Sequence, residues 1–562
     1  MLNFRPLFSV IRLQPSVLRL YYHTLKHLKP VQIYSRLWFR LYRPRPDTRP
    51  APSRRMVKQT PASFCLKKPS MLGPREFIFL NQRAKIAQNT DWDSPELSRL
   101  WRYNLHYFDD LSASDADERV RWHRELIQSW TQENQPGQGT GWEPYPASLR
   151  MVNWIKWLLQ GYKPEPGMLD NLAVQARWLK KRLEYHLLGN HLLTNAKALV
   201  FAGLFFQGQE ADKFYAKGMY ILDKELKEQI LEDGGHFERS PMYHLIVLED
   251  LLDLINLHYT YGESFPSEWH EFAVRMLEWS RVMRHPDGEI PFFNDAAFGI
   301  AQKPREIDEY AQRLEVPVPA GPGPGVRHLQ ESGYVRLEKG EAVLLADVGP
   351  VGPDYLPGHA HADTLSFELS INGRRVVVNS GTSEYGAGPE RQWQRSTAAH
   401  STVVVDGQDS SEVWGGFRVA RRARIIETLS GEEGGCCWAS AEHNGYQRLE
   451  GNVLHSRKWE LEQGNLKIVD ELKGAGRHEV DIIFHLAPGL KPSLSQGRIL
   501  VQDEQDQKVV LGIDYSYDRM EANMSKNFYY PEFGRSVPSW KIRLHAVCDM
   551  PFLHISELKL KG

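Results

Sequence analysis

The chain has 562 residues, 41% hydrophobic and 25% charged, and its 69 Lys and Arg against 70 Asp and Glu leave a formal charge of -1. That length exceeds what one hydrophobic core supports and predicts two large units, while the even charge balance excludes a global field for nucleic acid. The four cysteines, Cys65, Cys436, Cys437 and Cys548, show no CxxC spacing, so no dependence on disulfides is expected.

In chain order, the first segment runs from Met1 to about residue 90 as an arm and lead-in. Up to about Arg55 it carries many Arg and Lys with Asp47 as its only acid, interleaved with Leu, Tyr, Trp and Phe. Arg5, Arg12 and Arg19 interrupt the apolar stretches, unlike the h-region of a signal peptide. No run reaches the roughly 18 to 20 apolar residues of a membrane-spanning helix. The expectation is a cytoplasmic protein, peripheral at the inner membrane if the arm touches lipid, with the periplasm left open. Two readings of the arm stand side by side: a basic amphipathic segment meeting an anionic membrane or an acidic polysaccharide, or an arm whose aromatic side packs on the body.

Residues 91–315 recur with helical spacing, broken by Gly, Pro and Asn every 20 to 25 residues or so. Predicted helices are 96–111, 117–133, 146–160, 168–188, 191–207, 210–231, 241–257 and 267–284. A series of helices joined by short loops favours stacked antiparallel hairpins, and an incomplete α/α toroid is the predicted architecture. The Pro/Gly tract at 316–326 cannot continue a helix and reads as a linker. From 327 to 562 the pattern changes to short alternating runs such as 333–337, 342–346, 466–470 and 480–485, which predict an antiparallel β-sandwich.

Several clusters carry residue types suited to chemistry. Gly358-His359-Ala360-His361-Ala362-Asp363 puts two imidazoles two residues apart ahead of a strand-like run, where they could share a metal or divide its binding from proton transfer. With Asn379 and His400 on neighbouring runs they form a candidate ligand set, for which zinc is the best match. Among the helices, Gly189-Asn190-His191 ends one helix and opens the next, and the loop holding His236, Glu238 and Arg239 feeds a helix whose first turn carries Tyr243. These side chains could cap backbone groups or fill core; equally, a tyrosine at a helix N-terminus is a candidate proton carrier. Trp142 and Glu143 are candidates for a sugar-binding wall.

Taken together, the Gly358–Asp363 motif, Asn379-Ser380-Gly381-Thr382, His400, Asn190-His191 and the Tyr243 helix start resemble the heparinase II/III family of polysaccharide lyases, over most of the chain. The resemblance implies an α/α toroid followed by an antiparallel β-sandwich, with the active site between them. It implies Tyr243 and His359 as catalytic residues, Asn190 and His191 as holders of the substrate carboxylate, and His361 and His400 as ligands of a structural zinc. Asn379 falls where relatives with that metal often have aspartate. Trp142, Glu143, His236, Arg239, Tyr385 and Arg395 complete the expected substrate-binding set, and no organic cofactor is implied.

The implied reaction is β-elimination on an acidic, uronate-containing polysaccharide, in which the carboxylate acidifies the C5 proton and must itself be neutralised. A glycoside hydrolase would need paired carboxylates, for which Glu143, Glu238 and Asp295 are the candidates. A uronate C5-epimerase would share the proton abstraction, and a non-catalytic polysaccharide-binding or assembly protein could keep the same scaffold.

Overall fold

The computed structural model describes residues 15–516 and 520–561. Two helices open it, α1 (Pro15–Leu25) and α2 (Pro30–Leu41), followed by an extended segment and a three-stranded antiparallel meander of β1 (Met71–Gly73), β2 (Glu76–Phe79) and β3 (Gln82–Lys85). Those strands precede the Pro/Gly tract, where only helices were expected. They are too short to show a period in the sequence.

The helical domain consists of α3 (Arg99–Tyr107), α4 (Val120–Glu133), α5 (Pro144–Leu159), α6 (Met168–Lys181), α7 (Gly189–Phe205), α8 (Gln209–Gln229), α9 (Pro241–Tyr261), α10 (Glu268–Val282) and α11 (Pro304–Arg313). Helices α5, α7 and α9 are buried almost along their whole length, α6 is buried all round only over 171–179, and α8 and α10 bury one face. An all-round apolar helix must be enclosed, so α5, α7 and α9 form the inner layer, with α5 against α7 and α7 against α9. This is the toroid. The predicted helix 168–188 stops at Lys181, and the turn after it carries Glu184 towards the first turn of α7.

No helix or strand lies between Arg313 and Gly325, where the Pro/Gly tract falls. Beyond it come β4 (Gly325–Leu329), β5 (Tyr334–Lys339), β6 (Ala342–Asp347), β7 (Phe367–Ile371), β8 (Arg374–Val378), a short α12 (Pro389–Gln394), β9 (Val403–Val405), β10 (Val413–Trp414) and β11 (Arg418–Val419). The longer strands follow: β12 (Ile425–Glu433), β13 (Cys436–His443), β14 (Leu454–Glu462), β15 (Asn465–Lys473), β16 (Arg477–Leu486), β17 (Leu490–Ser495), β18 (Arg498–Asp503), β19 (Val509–Ser516), β20 (Glu521–Glu532), β21 (Arg535–Asp549) and β22 (Phe552–Leu560). One sheet has the order β12-β13-β14-β15-β22-β19-β18-β17 and the other β20-β21-β16-β8-β7-β6-β5-β4, with β9 on β16. Strict alternation of buried with more exposed residues along β13, β14 and β15 marks one face in the core and one towards solvent. The four cysteines are free thiols.

The arm packs on both domains through one of its faces. Trp414 Nε1 donates to Thr24 Oγ1 at 3.1 Å, tying α1 to the sandwich. Arg182 donates to the carbonyls of Phe39 and Tyr42, tying α2 to the toroid, with Phe39 4.2 Å from the His186 ring.

Candidate active site

A cavity of about 1750 Å³ runs between the toroid, the sandwich and the arm. The N-termini of all three inner helices open into it: Pro144 and Tyr145 of α5, Asn190 and His191 of α7, and Tyr243 of α9. Free N–H groups and the aligned peptide dipoles make such ends favourable to an anion. Local sequence sets each one. Pro241 begins α9, and Ser240 caps it by accepting from Tyr243 N at 3.1 Å. Gly189 has φ +55°, and a Cβ there would lie 2.3 Å from Leu356 Cδ2, so only glycine lets α7 begin against the sandwich loop.

Tyr243 stacks on His359 with ring centroids 3.9 Å apart, and its hydroxyl lies 3.1 Å from that of Tyr385. Burial pushes both phenols well above their usual range, with nearby phenolic and carboxylate charge adding to the effect, so both are protonated at neutral pH. Asn190 donates from its backbone N–H and its Nδ2 to the buried carboxylate of Glu238, at 3.1 and 3.0 Å to Oε1. His191 Nδ1 is 3.3 Å from Glu184 Oε2. Burial would lower the His191 pKa, but the Glu184 carboxylate outweighs it and the value is raised.

The two histidines of the HxH motif lie on a loop before β7 rather than on a strand. Both still reach one carboxylate: His359 Nδ1 is 2.9 Å from Asp295 Oδ2, and His361 Nε2 is 2.8 Å from Asp295 Oδ1. Arg391 grips the same carboxylate through Nη1 and, at 2.7 Å, through Nη2. Burial alone would raise the Asp295 pKa, yet Arg391 and the two imidazoles hold it well below the usual carboxylate range. An ionised carboxylate only accepts, so His359 Nδ1 and His361 Nε2 each carry a proton. His359 Nε2 is then the nitrogen left towards the cleft, 3.5 Å from Glu238 Oε2.

The same reasoning exposes a pair of lone pairs. His400 Nδ1 donates to Ser396 O at 2.8 Å, leaving its Nε2 unprotonated 3.1 Å from His361 Nδ1, which is unprotonated as well. Burial lowers both imidazole pKa values, that of His361 to about 4, so a proton does not bridge them at neutral pH. Asp363 completes a buried group whose donor atoms all lie within 4.8 Å of one another. Two ligands on a tetrahedral ion at 2.0 to 2.1 Å sit about 3.3 Å apart, so these donors fit a cation such as zinc. Asn379 was expected as the third ligand and is not in that role: its Nδ2 donates to Ser366 Oγ at 3.2 Å and its Oδ1 accepts from Ser401 N at 3.0 Å. The nearest-spaced acid in the sequence, Asp363 two residues after His361, supplies the carboxylate.

The remaining expected contacts divide. Tyr385 and Glu143 border the cavity, Glu143 accepting from Arg99 Nη2 at 2.5 Å and from the Tyr103 hydroxyl. Trp142 touches the cavity only as core, 2% exposed and packed against Trp130 and Trp178. His236 is buried on Gln229 Oε1, away from the cleft. Arg239 spends its guanidinium on the carbonyls of Phe237, Glu331 and Ser332, joining the two domains instead of facing substrate. Arg395, fully buried, donates to Ala360 O and so holds the HxH loop from behind. Sequence reasoning did not anticipate Arg391 or Glu184. It noted Asp295 and Glu238 only as hydrolase carboxylates, whereas both are buried and bound to site side chains.

An incomplete helical toroid joined to an antiparallel sandwich, with tyrosine, histidine and asparagine converging in the cavity between them, defines a toroid-plus-sandwich protein with one polar cleft. Residues 101–315 match the heparinase II/III N-terminus and residues 321–548 the heparinase II/III-like C-terminal region. The chain belongs to the heparinase II/III family. It is 25% identical over 379 residues to a heparin-sulfate lyase of Bacteroides stercoris, covering 62% of this chain and 54% of that protein. It is 26% identical over 401 residues to the FtsZ-localized protein C of Caulobacter vibrioides, covering 68% of this chain and 66% of that one. The chain thus spans about half the length of the first relative and just under two thirds of the second. A crystal structure of heparinase III shares the fold, with a TM-score of 0.66 at 18% identity over 86% of this chain and 79% of that one.

Proposed function

We propose that the protein is a polysaccharide lyase that cleaves an acidic, uronate-containing polymer by β-elimination. The observation that carries this reading is the meeting of Tyr243, His359, Asn190 and His191 in one cavity at the N-termini of the inner helices. A uronate carboxylate docked at Asn190 and His191 meets an imidazole whose proton Glu184 helps to hold and the positive ends of α7 and α9, which stabilise the charge that develops when C5 loses its proton. His359 Nε2 takes that proton. The C4–O4 bond breaks, O4 takes the hydroxyl proton of Tyr243, and a C4=C5 double bond remains. The raised phenol pKa supports Tyr243 as acid, and the Asp295 contact supports His359 as base by fixing its tautomer. Tyr385 then hydrogen-bonds the transient phenolate. The relatives named as heparin-sulfate lyases support the choice of a glycosaminoglycan-like substrate.

His361, His400 and Asp363 would hold the zinc, which when bound would supply a fixed positive charge bracing the HxH loop. At the arm end of the cavity, Arg36 of α2 and Arg418 of the sandwich line the wall and suit further anionic groups along the polymer. Ultraviolet absorbance of the conjugated unsaturated uronate, followed on heparan, hyaluronan, alginate and glucuronan, tests the reading. A rise that Tyr243→Phe abolishes supports it. Binding to a polymer of the panel with no rise on any of them would replace it with a non-catalytic binding role.

A further inference from the structure

The inner face of the arm is accounted for by the two domains, but its outer face is not. Of the twenty most exposed large apolar side chains among the described residues, eight lie between Leu18 and Leu41. Their spacing is helical. At about 100° per residue, Ile33, Tyr34, Leu37, Trp38 and Leu41 fall within an arc of about 140° on α2. All five are between 51% and 80% exposed. On α1, Leu18 and Tyr22 recur at i and i+4 with more than half their surface free, while Leu25, half exposed, turns to the cavity. The opposite faces carry Tyr21, Thr24, Gln32 and Phe39, which meet the body of the protein.

Charge indicates what covers the outer face. Between Pro15 and Pro46 there are seven Lys and Arg and no acid. On the same helical projection Arg40 lies about 20° beyond the edge of the α2 stripe, and Arg19 lies about 60° beyond Tyr22 on one side of α1, with Lys26 just past the helix end. Arg40, Arg43, Arg45 and Lys26 are exposed, and among the described residues none of these four has an ion-pair partner. An apolar stripe bearing Trp and Tyr, edged by long cations and free of acids, matches a bilayer surface: rings at headgroup depth, apolar side chains below, Lys and Arg on lipid phosphates and carboxylates. A protein partner of matching shape would have to bury a face this aromatic while offering only acids at its rim. No described helix is long and apolar enough to cross a membrane, so the contact is a surface one.

We propose that α1 and α2 dock the protein on an anionic lipid surface, with the cavity held beside the membrane by the inner face of the same helices. The test is co-sedimentation of the full chain with phosphatidylcholine vesicles, with or without about one third phosphatidylserine. Partition into the anionic vesicles should exceed that into neutral ones at least tenfold. It should weaken as salt shortens the Debye length from about 10 Å at 0.1 M to about 3 Å at 1 M. The triple change Ile33→Ser, Leu37→Ser and Trp38→Ser should lower it at least tenfold, with the circular dichroism spectrum and cleavage of soluble polymer unchanged. Lys26→Glu with Arg40→Glu, which leaves every apolar contact in place, should remove the preference for anionic lipid. The proposal is overturned if the protein stays in the supernatant with anionic vesicles or if neither variant alters partition. It is equally overturned if, without vesicle binding, the triple variant changes only the oligomeric state or the affinity for polysaccharide.

Discussion

Asp295→Asn is the change that separates an organised site from a mere cluster of polar residues. The carboxylate accepts from Arg391 twice, from His359 and from His361. An amide of the same shape has one acceptor oxygen and one donor nitrogen, so at least one of those donors faces an N–H. Arg391, with no exposure, loses the one carboxylate it pairs with among the described residues. Removing one member of a buried pair costs about 3 to 5 kcal/mol, a large part of the roughly 5 to 15 kcal/mol that typically holds a domain folded. If the amide nitrogen faces His359, the imidazole adopts the other tautomer and its lone pair turns away from the cleft. The comparable carboxylate-to-amide change beside a catalytic histidine costs about four powers of ten in kcat, or about 5.5 kcal/mol at 1.36 kcal/mol per tenfold. Two assays read this: the melting temperature, expected to fall by several degrees, and kcat for uronate elimination below that transition, expected to fall at least a thousandfold. Because Asp295 and His359 act as one unit, adding His359→Ala should cost little more. A folded Asp295→Asn protein with kcat within threefold of wild type would refute the assignment of Asp295 as the residue that orients His359.

Tyr243→Phe should reduce kcat at least a thousandfold while leaving KM within a few fold, since only the proton donor is lost; steady-state kinetics on the best polymer of the panel checks it. The raised His191 pKa means that its charge, and the stability it brings, is fully present below the ordinary value of 6.5 and is lost as pH rises through the higher folded value. The pH profile of kcat/KM should therefore have an alkaline falling limb above pH 6.5. Glu184→Gln should move that limb downward, because burial is then opposed by Glu238 alone. Glu238→Gln keeps the shape but not the charge that holds the Asn190 backbone and amide. It should raise KM at least tenfold, in line with about 1.5 to 3 kcal/mol for a hydrogen bond to a charged group. Asp363→Asn should abolish bound zinc measured by elemental analysis, and Asn379→Asp should not replace it, because residue 379 points at Ser366 and Ser401.

The sequence carried the architecture because its signals were long ones. Helical spacing sustained over two hundred residues, a Pro/Gly tract and then alternating strands are each legible without contacts. The meander of β1 to β3 was not, since three- and four-residue strands have no measurable period. Within the site, Asn190, His191, Tyr243 and His359 stood out because they sit beside Gly or Pro at helix starts or in a His-x-His spacing. Arg391 and Glu184 did not, because a buried arginine and a glutamate in a turn look like surface residues until their partners are known. Asn379 illustrates the reverse error. Its position between strands suggested a ligand, whereas the two ends of its amide bind Ser366 and Ser401, and it is Asp363 that groups with the imidazoles.

The placement of Asp295 explains why neither domain holds the site alone. By sequence it lies before the Pro/Gly tract, yet its backbone N–H donates to His359 O at 2.9 Å and its carbonyl accepts from Ser240 Oγ, the cap of α9. Next to it, Asn294 N donates to Asp363 Oδ2 while its side chain meets the His361 N–H and the Arg239 carbonyl. Two adjacent residues therefore fix the start of the Tyr243 helix, the His359 loop and the metal-capable group in one frame. Three of these contacts, to His359 O, His361 N and Arg239 O, use backbone atoms of the residues they position, so the His359 loop and the lead-in to α9 are held to this pair through main chain. Relative motion of the toroid and sandwich must break this cluster or pivot about it.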